Sequence, residues 1–170
     1  CFSQAQHINY ETGWEFYSSP FQSFYIFDDI EIDGQVAVGD GWAPSATLES
    51  VCVNTPGSCD VLGAFLNDVC VGWVYADSNG FTTLPIMGTS VFDPPPNTDN
   101  YCIEGDTPTI KIYDSSNGTI LDITAGDEIP GWSQNIIYNI QNISFANNGI
   151  VDIHAGWSYF QSSNQAFYLF

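Results

Sequence analysis

The chain has almost no positive charge. Its 170 residues contain one basic side chain, Lys111, against twenty Asp and Glu residues, which gives a formal net charge of −19 at pH 7. Proteins that bind nucleic acid neutralise phosphates with many Lys and Arg residues, and anionic membrane surfaces recruit proteins through basic clusters. The composition therefore excludes nucleic acid as a partner and favours partners that are neutral or cationic.

Long apolar runs are also missing. No apolar stretch approaches the roughly 20 residues that a transmembrane helix needs, so we expect no membrane span. With 44% hydrophobic and 15% aromatic residues, the chain can still build a sizeable core. Because no internal repeat and no domain boundary is apparent, residues 1–170 are predicted to form one domain.

Helical periodicity is absent as well. β-Branched and aromatic residues form short runs between Gly, Asn, Asp, Ser and Pro, a pattern typical of sandwiches and barrels. We therefore predict an all-β fold, an antiparallel β-sandwich of the immunoglobulin-like or jelly-roll-like kind, stapled by disulfides.

Two hairpins are predicted from local patterns. Apolar runs at 61–66 and 69–74 flank an Asn-Asp pair that suits a two-residue turn, and neither run has a polar face, so this hairpin should be covered on both sides. This turn would place Phe65 opposite Cys70 and Gly63 opposite Gly72.

A second hairpin is predicted where residues 109–114 and 119–123 flank an Asn-Gly turn. Further along the chain, a change of alternation predicts a bulge or bend at 141–142.

The cysteines do not have the spacing of a zinc site, because no Cys-x-x-Cys or Cys/His pattern is present. The short segment between Cys52 and Cys59 favours a disulfide, and Cys70 would then pair with Cys102, although four cysteines allow three connectivities. Disulfides indicate an extracellular or cell-surface location. Cys1 is left over, either as a lipid-modified first residue or as the remnant of a signal peptide region.

Catalytic constellations are scarce. His7 and His154 are the only imidazoles, and strand alternation would place Asp152 on the same face as His154. No Gly-x-Ser-x-Gly element accompanies them. We therefore expect a protein that is not an enzyme and has no catalytic residues.

Several acids lie close together between residues 28 and 40, near three glycines. Hard oxygen ligands on a Gly-rich loop suit Ca²⁺, although the spacing is not that of an EF-hand, and alternation would equally place most of these acids on one solvated face. No cofactor is required by this interpretation, and Ca²⁺ is the ion that the segment would hold. The calcium candidates are Asp29, Glu31, Asp33 and Asp40, with Asp60 as a separate single candidate.

The sequence offers candidate residues both for binding carbohydrate and for carrying it as a covalent modification. Trp42 and Trp132 each lie in a stretch typical of loops, where an aromatic ring could stack on a sugar. Asn117 and Asn142 are each the first residue of an Asn-x-Ser/Thr acceptor sequence, and are the candidate glycosylation sites.

The first predicted hairpin carries a recognisable element. Asp60, the Gly63-Ala64-Phe65 segment, Cys70 and Gly72 fit the spacing D-x-I-G-A-F-x-x-x-x-C-x-G, with Leu in place of Ile. This segment resembles an element of β-sandwich modules in secreted and surface-displayed bacterial proteins. The resemblance implies an extracellular accessory or adhesive module that is not catalytic.

The chain ends in an apolar, strand-like segment. Phe167, Tyr168, Leu169 and Phe170 either pair within their own domain or add a strand to a neighbouring subunit, as pilins do. The function expected from the sequence is therefore that of a pilin-like structural subunit, which polymerises with itself into a surface filament or layer by strand complementation. The alternative is a carbohydrate-binding or adhesion module, with glycans as partners and with or without dependence on calcium.

Overall fold

The computed structural model describes residues 5–44, 46–90 and 98–147, together with the backbone of residues 151–153 and 157–159. The described chain is nearly all strand, as the period-two patterns predict, and its one helix is a single turn, α1 (Val51–Asn54). The strands are β1 (Gln6–Ile8), β2 (Glu15–Tyr17), β3 (Gln22–Phe27), β4 (Glu31–Ile32), β5 (Gln35–Val36), β6 (Val61–Leu66), β7 (Val69–Tyr75), β8 (Thr82–Met87), β9 (Thr109–Asp114), β10 (Thr119–Ala125), β11 (Ile137–Ile140), β12 (Ser144–Phe145), β13 (Val151–Ile153) and β14 (Trp157–Tyr159).

Two sheets form the body of the sandwich. The larger has seven strands in the order β5-β4-β12-β10-β9-β6-β7, and the smaller has three in the order β11-β3-β8, while β1-β2 and β13-β14 are separate two-stranded pairs. The prediction of an all-β sandwich is confirmed. Two pairings, β11 with β3 and β12 with β4, are parallel, so the sandwich is not purely antiparallel as predicted.

The hairpin of β6 and β7 has the predicted two-residue turn. Asn67 and Asp68 both adopt positive φ, at 47° and 67°, as a type I′ turn requires. Phe65 lies opposite Cys70 as expected, but a bulge follows, and Gly72 pairs with Ala64 rather than with Gly63. The predicted glycine pair is therefore wrong, because the bulge shifts the register by one residue.

The second hairpin and the bend are also found. β9 and β10 pair from Asp114 and Thr119 outward, and β9 alternates between buried and partly exposed residues as predicted. The chain then leaves the small sheet after β11 and enters the large sheet as β12, with Asn142 at a φ of 55° between them. The bend at 141–142 is thus the point where the chain crosses from one sheet to the other.

The core lies between the two sheets and is rich in aromatic residues. β6 and β7 are buried on both faces, as their unbroken apolar runs predict. Gly63 lies under the ring of Trp14, and Gly72 faces the backbone carbonyl of Pro85 in β8. Since only a glycine hydrogen fits between these groups, the two glycines determine how closely the layers approach.

Candidate functional site

A groove opens at one end of the three-stranded sheet. Its volume is about 310 Å³, and it is lined by Ile26, Asp28, Phe81, Asn139, Ile140 and Gln141. Phe81 immediately precedes β8, and its side chain is 60% exposed. The aromatic ring at the groove is therefore available to a ligand.

The polar residues of the groove come from the ends of two parallel strands. β3 and β11 run in the same direction, with Ile26 beside Asn139 and Phe27 beside Ile140. Asp28 continues this pairing, since its backbone N–H donates to the Ile140 carbonyl at 3.0 Å. Because parallel strands end at the same edge of a sheet, Asp28 and Gln141 meet at the rim of the groove.

The polar side chains at this rim are free to bind. Within the described part of the chain, the side chains of Asp28, Asn139 and Gln141 form no hydrogen bond with another residue. An amide offers both donors and an acceptor, and a carboxylate offers acceptors. Phe81 and Ile26 give the groove an apolar surface, and the three polar side chains place uncommitted hydrogen-bonding groups along its edge. This arrangement is common in ligand sites.

Sequence patterns did not identify this groove. Phe81 follows a turn at 78–80, and Asn139 and Gln141 have the same parity along an edge strand. An aromatic residue directly after a turn and two amides on one strand face were the available signals. Their convergence depends on the parallel pairing of β3 and β11, which no local pattern predicts.

The two predicted stacking tryptophans differ in exposure. Trp42 is half-buried, its indole N–H donates to the Leu48 carbonyl at 3.0 Å, and its ring centroid lies 6.3 Å from that of Trp73. Trp132 is 4% exposed and donates to the Ile86 carbonyl at 3.1 Å. The prediction that Trp132 presents its ring to a sugar is wrong, since a loop residue after Gly131 here fills the core.

The predicted calcium residues do not form one cluster. In the described ranges, no group of three or more His, Cys, Asp or Glu side chains is arranged to hold a metal ion. Asp29, Glu31 and Asp33 are exposed, and the carboxylate of Asp33 accepts from the backbone and side-chain N–H groups of Asn147. Calcium binding stays a prediction that this arrangement does not favour.

Asp40 has a different task. One oxygen of its carboxylate accepts from the Ser50 hydroxyl and from the backbone N–H groups of Val51 and Cys52, and the other accepts from the backbone N–H of Trp42. Partial burial raises the pKa of Asp40, but these hydrogen bonds outweigh it and leave the pKa below its ordinary value. Asp40 therefore anchors the start of α1.

Asp60 also acts as a structural acceptor. It is buried, and its carboxylate accepts from the backbone N–H of Val38 at 2.7 Å and from the backbone N–H and hydroxyl of Ser115 at 2.9 and 2.8 Å. These bonds connect three segments that are far apart in the sequence. Its role in the described structure is to join them.

One of the two predicted disulfides is present. Cys52, which lies in α1, is bonded to Cys59. Cys70 and Cys102 are both buried and free, so the predicted second bridge is wrong. Burial raises the pKa of each thiol to about 12, which makes these cysteines unreactive core residues at neutral pH.

Both predicted glycosylation residues are exposed. Asn142 lies at the crossing between the sheets, and Asn117 lies in the turn between β9 and β10. The side-chain N–H of Asn117 donates to Asp114 at 2.7 Å. Attachment of a glycan to Asn117 would use the nitrogen that makes this bond, so Asn142 is the better placed acceptor.

Asp114 is the most heavily hydrogen-bonded acid of this turn. It is buried, and it accepts from the backbone N–H and hydroxyl of Ser116 and from the side-chain amides of Asn117 and Asn147. Burial raises its pKa, but the hydrogen bonds outweigh this and lower the pKa below its ordinary value. The folded state therefore favours the ionised carboxylate.

We expect Asp114→Asn to lower the free energy of unfolding by about 1–3 kcal/mol at pH 7, since one oxygen becomes an N–H that faces other donors. A lowered pKa stabilises the fold above the unfolded pKa, and this stabilisation is lost as the pH falls through the folded pKa. The difference between the two proteins should thus shrink in strong acid. Urea unfolding at neutral pH and near pH 2 measures it, with the exposed Asp122→Asn as control, and a difference independent of pH would contradict the assignment.

A histidine and a serine also meet, on the β1–β2 hairpin. The His7 Nε2 atom lies 2.7 Å from the Ser18 hydroxyl, and burial lowers the pKa of His7. Nucleophilic catalysis needs a third group that orients the imidazole, and no described residue hydrogen-bonds to the other ring nitrogen. The pair is a cross-strand contact, and the absence of enzymatic activity stays a prediction.

The remaining predicted residues lie outside the described ranges. These are Cys1, the side chains of Asp152 and His154, and the four terminal residues Phe167, Tyr168, Leu169 and Phe170. In the part of the chain that is described, no helix is long and apolar enough to cross a membrane. Lys111 forms an ion pair with Asp122 at 2.8 Å.

Comparison with known proteins gives no assignment. No family model matches the chain, and no curated protein or solved structure is significantly similar to it.

Proposed function

We propose that this protein is an extracellular, non-enzymatic binding module that holds a neutral glycan in the groove of its three-stranded sheet. The observation that carries the proposal is the exposed ring of Phe81 beside three uncommitted polar side chains. A sugar ring offers an apolar face to an aromatic residue and hydroxyl groups to amides and carboxylates. The groove supplies both kinds of contact.

The charge of the protein supports a neutral ligand. Among the described residues, Asp28 is the only charged one that lines the groove, and the chain as a whole carries −19. A sulfated or carboxylated glycan would meet a carboxylate without a compensating cation. A neutral saccharide meets no such penalty.

The size of the groove supports a short contact. Ligand clefts commonly measure roughly 300 to 1,000 Å³, and this groove of about 310 Å³ is at the lower end. One or a few sugar units would fill it. Binding through so small a contact should be weak for a single module.

We expect Phe81→Ala to weaken binding of a neutral oligosaccharide at least about tenfold, equivalent to about 1.4 kcal/mol, because the stacking surface is lost. The fold should be unaffected, since the ring is largely exposed. A screen of immobilised neutral and acidic glycans, followed by calorimetry on the best ligand, measures the effect.

The controls separate this groove from other surfaces. Ile120→Ala removes an exposed apolar side chain from the other sheet and should leave the affinity unchanged. Loss of binding in Trp42→Ala but not in Phe81→Ala would place the sugar at Trp42. Absence of binding to every neutral glycan would refute the proposal.

A second candidate function is self-assembly by strand addition. β11 is an edge strand whose only strand partner among the described residues is β3. The Ile136 and Ile140 carbonyls accept from the backbone N–H groups of Phe24 and Asp28. By alternation, the backbone groups of Ile137 and Asn139 point away from the sheet. Ile137 is also 63% exposed. Filaments seen by negative-stain imaging, and lost in Ile137→Lys, would favour the filament over a monomeric binding module.

A further inference from the structure

The last fifteen residues of the chain repeat an earlier segment. Residues 156–170 read GWSYFQSSNQAFYLF, and residues 13–27 read GWEFYSSPFQSFYIF. The two align without a gap, and seven of the fifteen positions are identical. The identical pairs are Gly13 and Gly156, Trp14 and Trp157, Ser19 and Ser162, Gln22 and Gln165, Phe24 and Phe167, Tyr25 and Tyr168, and Phe27 and Phe170. Self-similarity at a fixed spacing is the signature of a repeated structural unit.

The repeat preserves the residues that build the core. In the described copy, Trp14, Phe16, Ser23, Tyr25 and Phe27 are all buried. Their equivalents at the end of the chain are Trp157, Tyr159, Ala166, Tyr168 and Phe170. Each is the same residue or one of similar character, so the inward face of β2 and β3 is what the repeat keeps.

The backbone that precedes the repeat is similar too. β1 and β2 form an antiparallel pair that is separate from the main sheets, and so do β13 and β14. Gly13-Trp14 immediately precedes β2, and the Trp157 of Gly156-Trp157 is the first residue of β14. The end of the chain therefore repeats the order of hairpin and aromatic segment with which the described sandwich opens.

A segment like β3 needs particular neighbours. β3 pairs with β8 on one side and with β11 on the other. Tyr25 donates to the Pro130 carbonyl at 3.0 Å, and its ring centroid lies 4.7 Å from that of Tyr138. In the described sandwich this place is taken by Gln22–Phe27, so a second such segment requires a second set of neighbours.

We infer that residues 151–170 are the opening segment of a second sandwich of the same kind, and that their partner is a further copy of residues 28–147. This inference differs from the expectation of one domain over residues 1–170, which stays a prediction. By this inference, residues 167–170 correspond in sequence to the end of β3, a central strand, which would account for their apolar character. The inference is independent of the glycan proposal.

The first test is a matched pair of variants in the full chain. We expect Tyr25→Ala to lower the melting temperature by about 10 °C, because a large core side chain is removed. Tyr168→Ala should shift the same transition by less than about 2 °C, because its side chain belongs to another unit. Equal losses of stability in the two variants would overturn the inference.

The second test adds the proposed partner to the chain. Because Phe170 corresponds to Phe27, a chain in which residues 28–147 follow Phe170 should contain two complete sandwiches. We expect a monomer by light scattering, two Cys52–Cys59-type disulfides by mass spectrometry and about twice the near-ultraviolet circular dichroism per molecule. Tyr168→Ala in this extended chain should destabilise one of the two sandwiches, so that about half of the circular dichroism signal is lost at a lower temperature.

Two outcomes would contradict the tandem arrangement. The added residues could stay unfolded, which would show that residues 151–170 cannot open a sandwich. Alternatively, the original chain could form oligomers that dissociate on Tyr168→Ala, which would show that the segment enters the sandwich of a second molecule by exchange. Neither outcome affects whether Phe81 binds a glycan.

Discussion

Replacement of Gly72 by alanine should prevent stable folding, with a loss of at least about 3 kcal/mol in the free energy of unfolding. A Cβ atom at this position would lie 1.8 Å from the backbone carbonyl oxygen of Pro85. The carbonyl belongs to β8, which is held along its length by β3. Relief of the clash would thus require one sheet to move away from the other.

The matched control is Gly80→Ala. Its Cβ would lie 3.3 Å from a carboxylate oxygen of Asp77, a side-chain atom that can move. We expect a change within about 0.5 kcal/mol. Chemical unfolding followed by circular dichroism compares the variants, and similar stabilities for Gly72→Ala and wild type would mean that the layers are not in close contact at this point.

Trp132→Ala should lower the free energy of unfolding by about 3–5 kcal/mol. The indole is almost fully buried. It packs directly against Gly88, where a Cβ atom would lie 2.4 Å from the ring, so a larger residue at position 88 would clash with it. Its removal leaves a cavity and deprives the Ile86 carbonyl of its donor. Denaturant unfolding measures the loss.

Trp42→Ala is the natural comparison. This ring is half-buried beside Trp73 and Tyr75, so truncation should cost about 1–2 kcal/mol, less than at Trp132. If instead Trp132→Ala unfolds like wild type and loses glycan binding, the ring is exposed in solution and the groove at Phe81 is not the main contact.

A tandem arrangement would have a consequence for binding. Weak sites on linked modules gain avidity when one ligand spans two of them, because the second contact becomes intramolecular. A polysaccharide is a repetitive ligand that can do this. The two proposals, though independent, together describe a surface protein that holds a neutral polymer through a series of shallow grooves.

Local patterns predicted the elements that depend on neighbouring residues. The turn at Asn67-Asp68 follows from the tolerance of these residues for positive φ, and the alternation of β9 follows from one buried face. The Cys52–Cys59 bond follows from a short spacing that few other partners could satisfy. Each of these features is decided within about ten residues.

Distant contacts were predicted less well. The bulge in the β6–β7 hairpin changes which residues face each other, and it coincides with the close contact of β7 with β8. Cys70 and Cys102 suggested a bridge by number alone, but the fold buries them as separate thiols. Trp132 has the flanking residues of a loop, yet the loop folds inward.

By itself, the sequence determined the all-β class, the main hairpins and the single confirmed disulfide, since these follow from local sterics and spacing. The repeat of 13–27 at 156–170 was also present in the sequence, but its meaning came from the burial of Tyr25 and Phe27 between β8 and β11. Only the tertiary structure brought Asp28, Phe81 and Gln141 to one groove. The pairing of strands more than a hundred residues apart depends on the burial of whole faces, which no short segment encodes.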